Sequence, residues 1–145
     1  MKFSRHVTVN WQGGITDGTG SAKAGTGAFD LPVTFPRRIG EPEGATSPEE
    51  LIAAAHGTCY AMVIAATLGR RSASAKATTV SCTVTGEKTD AGLKILSSAL
   101  KVEAEGLQGI TAADFEALAK EAEGTCPVSV ALHGNLTISV DVTVK

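Results

Sequence analysis

The chain has 145 residues, of which 43% are hydrophobic and 19% are charged, and this composition predicts one globular domain over residues 1–145. The formal net charge is −2, and aromatic residues make up 4% of the sequence. A weakly acidic chain lacks the basic excess that binds phosphate backbones, and so few aromatic residues offer no surface for base stacking. Nucleic acid is therefore excluded as the main partner.

The number and spacing of the cysteines indicate in which cellular compartment the protein is expected. Cys59, Cys82 and Cys126 are an odd number of cysteines at wide and unequal spacings, which does not fit the disulfide framework of a secreted protein. The first residues of the chain alternate polar and apolar side chains and contain no apolar run of the signal-peptide type. We therefore expect a cytoplasmic protein with free thiols.

The N-terminal third predicts strands and turns followed by a loop. Residues 3–11 alternate in polarity like a strand, and residues 18–30 are rich in small residues and can form a second strand. No Gly-Lys-Ser/Thr sequence follows these glycines, so they do not form a phosphate-binding loop. Residues 31–45 contain several prolines and are predicted to be a loop that carries Arg37 and Arg38.

A long helix is predicted over residues 47–68. Ser47 fits its N-cap, Pro48 its first position and Glu50 the reciprocal acid of a capping box, while Gly69 is expected to stop it. Residues 51–68 carry no charge, but their many alanines and several polar residues make a membrane span a poor prediction. We expect a helix that is buried on all sides, with more than one subunit able to supply the cover.

The remaining chain predicts a hairpin, two helices and a last strand. Residues 75–89 and 93–105 alternate as two strands joined through residues 90–92. Thr111 caps a helix that Gly124 ends, and a short helical turn opens at Cys126-Pro127 and closes at Gly134. Residues 136–144 form a final strand. This order predicts an α+β domain with a mostly antiparallel sheet and a long central helix.

Each cysteine also has an ordinary interpretation. Cys82 shares a strand face with Val80 and Val84, which favours core packing. Cys59 lies in the middle of the long helix, where the helix dipole does not promote a thiolate, and a buried core cysteine is favoured for it when it is taken alone. Cys126 fits an N-cap, which suits either a resolving cysteine of low pKa or a plain cap residue.

A metal site is an alternative at these residues. His56 and Cys59 lie one helical turn apart, and Cys126 and His133 offer two more ligands. However, the spacing of Cys126 and His133 is unusual for zinc, and the chain has no Cys-x2-Cys pair. We therefore expect neither a metal nor another cofactor.

Two motifs resemble the OsmC/Ohr family of osmotically inducible and organic hydroperoxide resistance proteins. Residues 46–59, TSPEELIAAAHGTC, are similar to the family signature, and residues 126–132, CPVSVAL, are similar to its second-cysteine motif. The resemblance spans the whole chain and implies an OsmC-like fold in an intertwined homodimer. It also implies thiol-dependent reduction of organic hydroperoxides, and less readily of hydrogen peroxide, with a lipoyl-type dithiol or small thiols as reductant.

The same resemblance implies roles for single residues. Cys59 corresponds to the peroxidatic cysteine and Cys126 to the resolving cysteine. Glu49 corresponds to the carboxylate that orients a catalytic arginine.

The position of the arginine separates the two branches of the family. The Ohr branch places it in the early glycine-rich stretch, but no arginine occurs here between Arg5 and Arg37. The OsmC branch places it in the loop before the long helix, where Arg37 and Arg38 both lie. The OsmC branch is therefore favoured, with Arg38 favoured over Arg37.

The spacing of Glu49 and Cys59 has a geometric consequence. Ten residues of helix rise about 15 Å, so both side chains of one straight helix cannot closely contact one arginine. We therefore predict an obligate dimer with composite sites, in which Cys59 of one subunit meets Glu49 of the other, to which Arg38 can be added. The alternatives from other classes are a non-catalytic small-molecule or metal-binding module on the same fold and a purely structural stress protein.

Overall fold

The computed structural model describes residues 1–145 and contains six strands and four helices. In chain order these are β1 (Val7–Gln12), β2 (Thr19–Ala24), β3 (Asp30–Val33), α1 (Phe35–Ile39), α2 (Pro48–Arg70), β4 (Ser74–Thr89), β5 (Gly92–Gln108), α3 (Ala112–Thr125), α4 (Pro127–Leu132) and β6 (Thr137–Val144). The chain divides into two compact units, Met1–Leu51 and Ile52–Lys145.

The first unit contains an antiparallel sheet in the order β1-β2-β3. Ala22 and Ala24 of β2 are buried, whereas every residue of β1 is exposed. The apolar side chains of Val7, Val9 and Trp11 therefore face solvent in the single chain, which is unusual for a strand of alternating polarity.

The loop predicted over residues 31–45 is wrong in part, because β3 and α1 lie within it. Thr34 caps α1 by accepting a hydrogen bond from the backbone N–H of Arg37 (3.3 Å). Pro36 lies in the first turn of α1, where its missing N–H has no intrahelical partner in any case. Pro32 lies in β3, which pairs with β2. The prolines that predicted a loop are thus compatible with a helix start and a short strand.

Helix α2 begins at Pro48 as predicted, but only half of the predicted capping box forms. The backbone N–H of Glu50 donates to Ser47 Oγ (3.2 Å). The Glu50 carboxylate accepts from the hydroxyl of Thr46 (2.8 Å) instead of from the Ser47 backbone. The neighbouring threonine hydroxyl therefore takes the place of the reciprocal bond.

At its other end, α2 continues through Gly69 to Arg70, so the predicted glycine stop is wrong. Ser72 closes the turn with a φ of 52°, in the left-handed region. The backbone N–H of Ala73 donates to the carbonyl of Leu68 (3.0 Å), and that of Ser72 to the carbonyl of Gly69 (3.1 Å). This is a Schellman motif with serine at the position where glycine is usual.

Within the single chain, α2 is buried on one face and exposed on the other, which differs from the predicted burial on all sides. Tyr60, Ile64 and Leu68 belong to the core of the second unit, whereas Met62 is 67% exposed. The exposed face is made of small and apolar residues, namely Ala54, Ala55, Thr58, Met62, Ala65 and Ala66. By length and composition alone α2 could span a membrane, with a mean hydropathy of 1.6, a property that core helices share.

The second unit contains the predicted hairpin, in which β4 and β5 pair antiparallel around a two-residue loop, Asp90–Ala91. β6 pairs with β5 in parallel, and the sheet order is β4-β5-β6. The strands thus form two separate sheets in place of one, and three of the four pairings are antiparallel. The parallel pairing follows from the long connection through α3 and α4, since only a crossover can return the chain in the same direction.

Helices α3 and α4 begin where the sequence predicts. Thr111 caps α3 by accepting from the backbone N–H of Asp114 (3.1 Å), although α3 runs past Gly124 to Thr125. Cys126 is the N-cap of α4, with Pro127 as the first helical residue. The core of the second unit is formed by fully buried side chains from α2, β5 and α3, namely Tyr60, Ile64, Leu100, Val102, Phe115 and Leu118.

Candidate active site

In the first unit, Arg38 and Glu49 form a two-point ion pair. Arg38 Nη2 lies 2.7 Å from Glu49 Oε1, and Arg38 Nε lies 3.1 Å from Glu49 Oε2. The side chains are 25% and 14% exposed, so water competes weakly with the pair. The Arg38 guanidinium holds the pKa of the Glu49 carboxyl below its usual range, although burial opposes this effect. Glu49 is thus an ionised carboxylate that fixes the direction of the guanidinium.

Arg37 has a different partner. Its Nη1 donates to the backbone carbonyl of Glu43 (2.6 Å), and its Nη2 lies 3.4 Å from the Glu43 carboxylate. Both of these side chains are largely exposed. Of the two adjacent arginines, Arg38 is therefore the one that Glu49 orients, and its catalytic role stays a prediction.

In the second unit, the thiols of Cys59 and Cys126 lie together. Cys126 is fully buried, Cys59 is partly buried, and both are free. Burial raises the pKa of the Cys59 thiol; the backbone N–H of Val128 opposes that rise, and the adjacent Cys126 thiol adds to it. Cys59 within the second unit therefore needs a cation before it ionises readily near neutral pH.

The backbone of Cys126 is held by the helices on both sides of it. Its N–H donates to the carbonyl of Ala122 (3.0 Å) at the end of α3, and its carbonyl accepts from the N–H of Val130 (2.9 Å) in α4. Its side chain makes no capping hydrogen bond. The Cys126 thiol is therefore not engaged by the start of α4, and it lies beside the Cys59 thiol.

A buried polar network around His56 is the part of this region that the sequence did not predict. His56 Nδ1 lies 2.7 Å from Ser98 Oγ, and His56 Nε2 lies 2.7 Å from Ser129 Oγ. All three residues are fully buried, and burial lowers the pKa of His56, so that its ring is neutral at pH 7. Cys82 Sγ lies 3.3 Å from Ser98 Oγ, so this thiol borders a polar network as well as the core.

No local signal could have identified this network. Ser98 and Ser129 are 42 and 73 residues from His56 in sequence. The sequence shows that His56 precedes Cys59 by one helical turn, but a polar residue beside a cysteine does not disclose its distant partners.

The residues considered as metal ligands are engaged with other groups. Both ring nitrogens of His56 contact serine hydroxyls, and His133 Nε2 lies 2.6 Å from Glu123 Oε1. No three His, Cys, Asp or Glu side chains are arranged to hold a metal ion. Cys59 and Cys126 are both free thiols, and each lies beside the other.

Comparison with known proteins identifies the family of the chain. Residues 40–141 match the family described as OsmC-like protein. The chain belongs to the OsmC-like family. Peroxiredoxin OsmC of Escherichia coli (strain K12) is 35% identical to this OsmC-like chain over 139 residues, which cover 95% of the chain and 96% of that protein.

A relative from the other branch of the family is similar over a shorter stretch. The organic hydroperoxide resistance protein OhrA of Bacillus subtilis (strain 168) is 33% identical over 118 residues, which cover 79% of this chain and 80% of that protein. The more extensive similarity to OsmC fits the OsmC branch, as the placement of the arginines predicted.

Solved structures share the fold. An organic hydroperoxide resistance protein OsmC from Legionella pneumophila has a TM-score of 0.76 and 26% identity, and the match covers 98% of this chain and 99% of that one. OhrB of Bacillus subtilis has a TM-score of 0.72 at 20% identity, covering 95% and 98%, which shows the fold alone. The predicted OsmC-like α+β fold is therefore confirmed, and the names of the relatives connect the family with peroxide resistance.

Proposed function

We propose that this OsmC-like protein is a thiol-dependent peroxidase that reduces organic hydroperoxides, with hydrogen peroxide as a poorer substrate. The observation that carries the proposal is the pairing of the free thiols of Cys59 and Cys126 in a partly buried position. A pair of adjacent thiols on two helices is suited to two-step oxidation through a sulfenic acid and a disulfide. Support comes from the relative that is named peroxiredoxin.

Arg38 supplies the cation that Cys59 needs. A guanidinium near a buried thiol stabilises the thiolate and lowers its pKa, which offsets the rise caused by burial. Glu49 occupies two of the N–H donors of Arg38, and the remaining donors contact the peroxide oxygens and the thiolate. The ion pair thus positions the positive charge for both the nucleophile and the substrate.

The proposed reaction cycle has three steps. The Cys59 thiolate attacks the terminal peroxide oxygen, so that an S–O bond forms, the O–O bond breaks and the alkoxide leaves as an alcohol after taking up a proton. The Cys126 thiol then attacks the sulfur of the Cys59 sulfenic acid, and the disulfide forms as water leaves. A lipoyl-type dithiol or small thiols reduce the disulfide and are themselves oxidised. No cofactor takes part.

We also propose an obligate homodimer in the cytoplasm with composite active sites. Each unit exposes apolar side chains that a second copy can cover: Val9 of β1 in the first unit is 63% exposed, and Met62 of α2 in the second unit is 67% exposed. The rise of about 15 Å over ten helical residues favours Glu49 and Arg38 of one subunit acting on Cys59 of the other. Arg38 and Glu49 contact each other within one chain, so they act as one group.

Single-turnover kinetics test the peroxidase proposal. The reduced protein is expected to consume about one equivalent of tert-butyl hydroperoxide per chain, as a thiol that ends in a disulfide does. Cys59→Ser should abolish consumption, whereas Cys126→Ser should consume peroxide and accumulate a trappable sulfenic acid. Cys82→Ser is the matched control and should behave like the wild type.

The opposite result would favour another class of function. Failure of the reduced wild-type dimer to consume any hydroperoxide would contradict the peroxidase. It would favour the non-catalytic binding module, for which bound metal at one equivalent per chain would be the next observation to seek.

A further inference from the structure

One hydrogen bond joins the two helices that carry the paired thiols. His56 precedes Cys59 by three residues on α2, and Ser129 follows Cys126 by three residues on α4. Positions three apart in a helix lie on the same side in neighbouring turns. The 2.7 Å contact between His56 Nε2 and Ser129 Oγ is therefore made by residues that lie three positions from each of the two cysteines.

The imidazole that makes this bond is itself fixed. Ser98 of β5 holds His56 Nδ1 at 2.7 Å, and β5 continues beyond Ser98 with the fully buried core residues Leu100, Val102 and Ala104. A neutral imidazole offers one donor and one acceptor, and each serine hydroxyl can take the complementary role. No buried side-chain polar atom in the chain lacks a partner. The ring is therefore held from both sides by serine hydroxyls.

Helix α4 is attached to the core through Ser129 and through Val128, which is partly buried against it. It has six residues, of which Ser129 is the one buried residue, and Val130 is 55% exposed. A helix this short is unstable by itself in water, so tertiary contacts determine its position. The position of Cys126 therefore depends on its own bonds to the end of α3 and on the contacts that Ser129 and Val128 make for α4.

From these contacts we propose that His56 is a positioning residue that holds α4, and with it Cys126, in place for attack on the sulfur of Cys59. Its role in turnover rests on the proposed function, because it acts in the second step of that reaction. The attack forms the S–S bond, breaks the S–O bond of the sulfenic acid and releases water. His56 exchanges no proton with the reacting atoms. Its bond to Ser129 keeps the two sulfurs close together, which speeds the attack of Cys126 on Cys59.

The test separates the two oxidation steps by stopped flow. Ser129→Ala removes the hydroxyl that His56 contacts. We expect peroxide consumption to stay within about twofold of wild type while the sulfenic acid converts to the disulfide about 10-fold more slowly. Ser129→Thr retains a hydroxyl and should restore the rate of the second step. Ser97→Ala is the matched control, because it removes the hydroxyl of the residue next to Ser98, and that hydroxyl makes no hydrogen bond to His56.

A second measurement needs no peroxide. The Cys59–Cys126 disulfide is equilibrated with reduced and oxidised glutathione, and its fraction is measured by alkylation and mass spectrometry. Ser129→Ala is expected to lower the equilibrium constant for disulfide formation about tenfold, which corresponds to a potential about 30 mV less negative. Ser98→Ala loosens the ring from its other side and should shift the equilibrium in the same direction.

The outcomes distinguish positioning from general stability. The proposal is overturned if the variants unfold at lower temperature but resolve the sulfenic acid at the wild-type rate and keep the wild-type equilibrium constant. It is also overturned if both oxidation steps slow equally. If the wild type consumes no peroxide, the proposed function fails, and the glutathione equilibrium still decides whether His56 positions Cys126.

Discussion

Arg37 and Arg38 are adjacent in the chain, but their side chains have different partners. Glu49 holds Arg38 through the Nε and Nη2 nitrogens of the guanidinium, whereas the exposed Arg37 pairs with Glu43. A guanidinium of fixed direction can stabilise charge that develops on a peroxide, and an exposed one cannot do so to the same degree. The two residues should therefore respond differently to substitution.

We expect Arg38→Ala to lower kcat/KM for an organic hydroperoxide by about 100-fold. It should also raise the pKa at which the Cys59 thiolate forms, because a favourable cation is lost. Steady-state kinetics and thiolate absorbance against pH measure the two effects. Arg37→Ala is the matched control and should change kcat/KM by less than about twofold; an equal loss in both variants would contradict the assignment of Arg38.

His56 makes the stability of the fold depend on pH. Burial holds the pKa of His56 below its ordinary value of 6.5, while Glu123 raises it and His133 lowers it by smaller amounts. As pH falls, the unfolded chain therefore binds a proton that the native chain does not, and the free energy of unfolding decreases. The stability contributed by neutral His56 is fully present above about pH 6.5 and is lost as pH falls through the native pKa.

Urea titrations at about pH 7.5 and about pH 5.5 check this dependence, which has the sign required for a depressed pKa. We expect the wild type to be less stable at the lower pH. His56→Gln, which cannot take up the proton, should show a smaller difference between the two conditions. Equal pH dependence in both proteins would show that other groups cause it.

At the scale of elements, the end of α2 offers a direct test of backbone strain. Ser72 has a φ of 52° at the Schellman position of this helix. A residue with a Cβ is disfavoured there, and glycine is not. Ser72→Gly is therefore expected to raise the free energy of unfolding by about 0.5 kcal/mol. This is a net value, because glycine also increases the conformational entropy of the unfolded chain and so offsets part of the relieved strain.

Ser72→Ala is the control for that substitution, since alanine keeps the Cβ and should give no gain. Chemical denaturation of the three proteins at one pH provides the comparison. A glycine variant that is less stable than the alanine variant would show that the Ser72 side chain makes a contact worth more than the strain.

Elements with a strong sequence pattern were predicted well. The alternation of β4, β5 and β6 and the caps of α2, α3 and α4 gave starts that lie close to the observed ones. The short helix α1 was missed, because Pro36 is as compatible with a helix start as with a loop. Gly69 predicts the C-terminal end of α2, but the hydrogen bonds that end this helix form around Ser72 instead.

In the candidate site too, some contacts could be predicted from the sequence and others could not. The contact of Arg38 with Glu49 and that of Cys59 with Cys126 are both present, and both were expected from the family resemblance of the motifs. The catalytic roles of these residues stay predictions. The bonds of His56 to Ser98 and Ser129 could not be predicted, because they depend on how three distant segments fold together.

At the scale of the whole molecule, composite sites predict that two inactive variants complement each other. Cys59→Ser and Arg38→Ala are each expected to have little activity as homodimers. After unfolding and refolding as an equal mixture, half of the dimers are mixed and one of their two sites is intact, so activity should recover to about a quarter of the wild type. The subunit composition is checked by native mass spectrometry.

Refolding each variant alone is the control for complementation and should give no recovery. Absence of recovery in a mixture that contains mixed dimers would show that Cys59 and Arg38 act within one chain. An active monomer would contradict the composite site altogether.

Peptide mapping of the oxidised protein tests whether Cys59 and Cys126 form the catalytic redox pair. The reduced protein is treated with about one equivalent of an organic hydroperoxide per chain, free thiols are alkylated, and the disulfide is located by mass spectrometry. We predict one disulfide, between Cys59 and Cys126 of the same chain, with Cys82 alkylated. The assignment of Cys59 and Cys126 as the redox pair would be contradicted by a disulfide that includes Cys82, or by a protein whose three thiols all stay reduced.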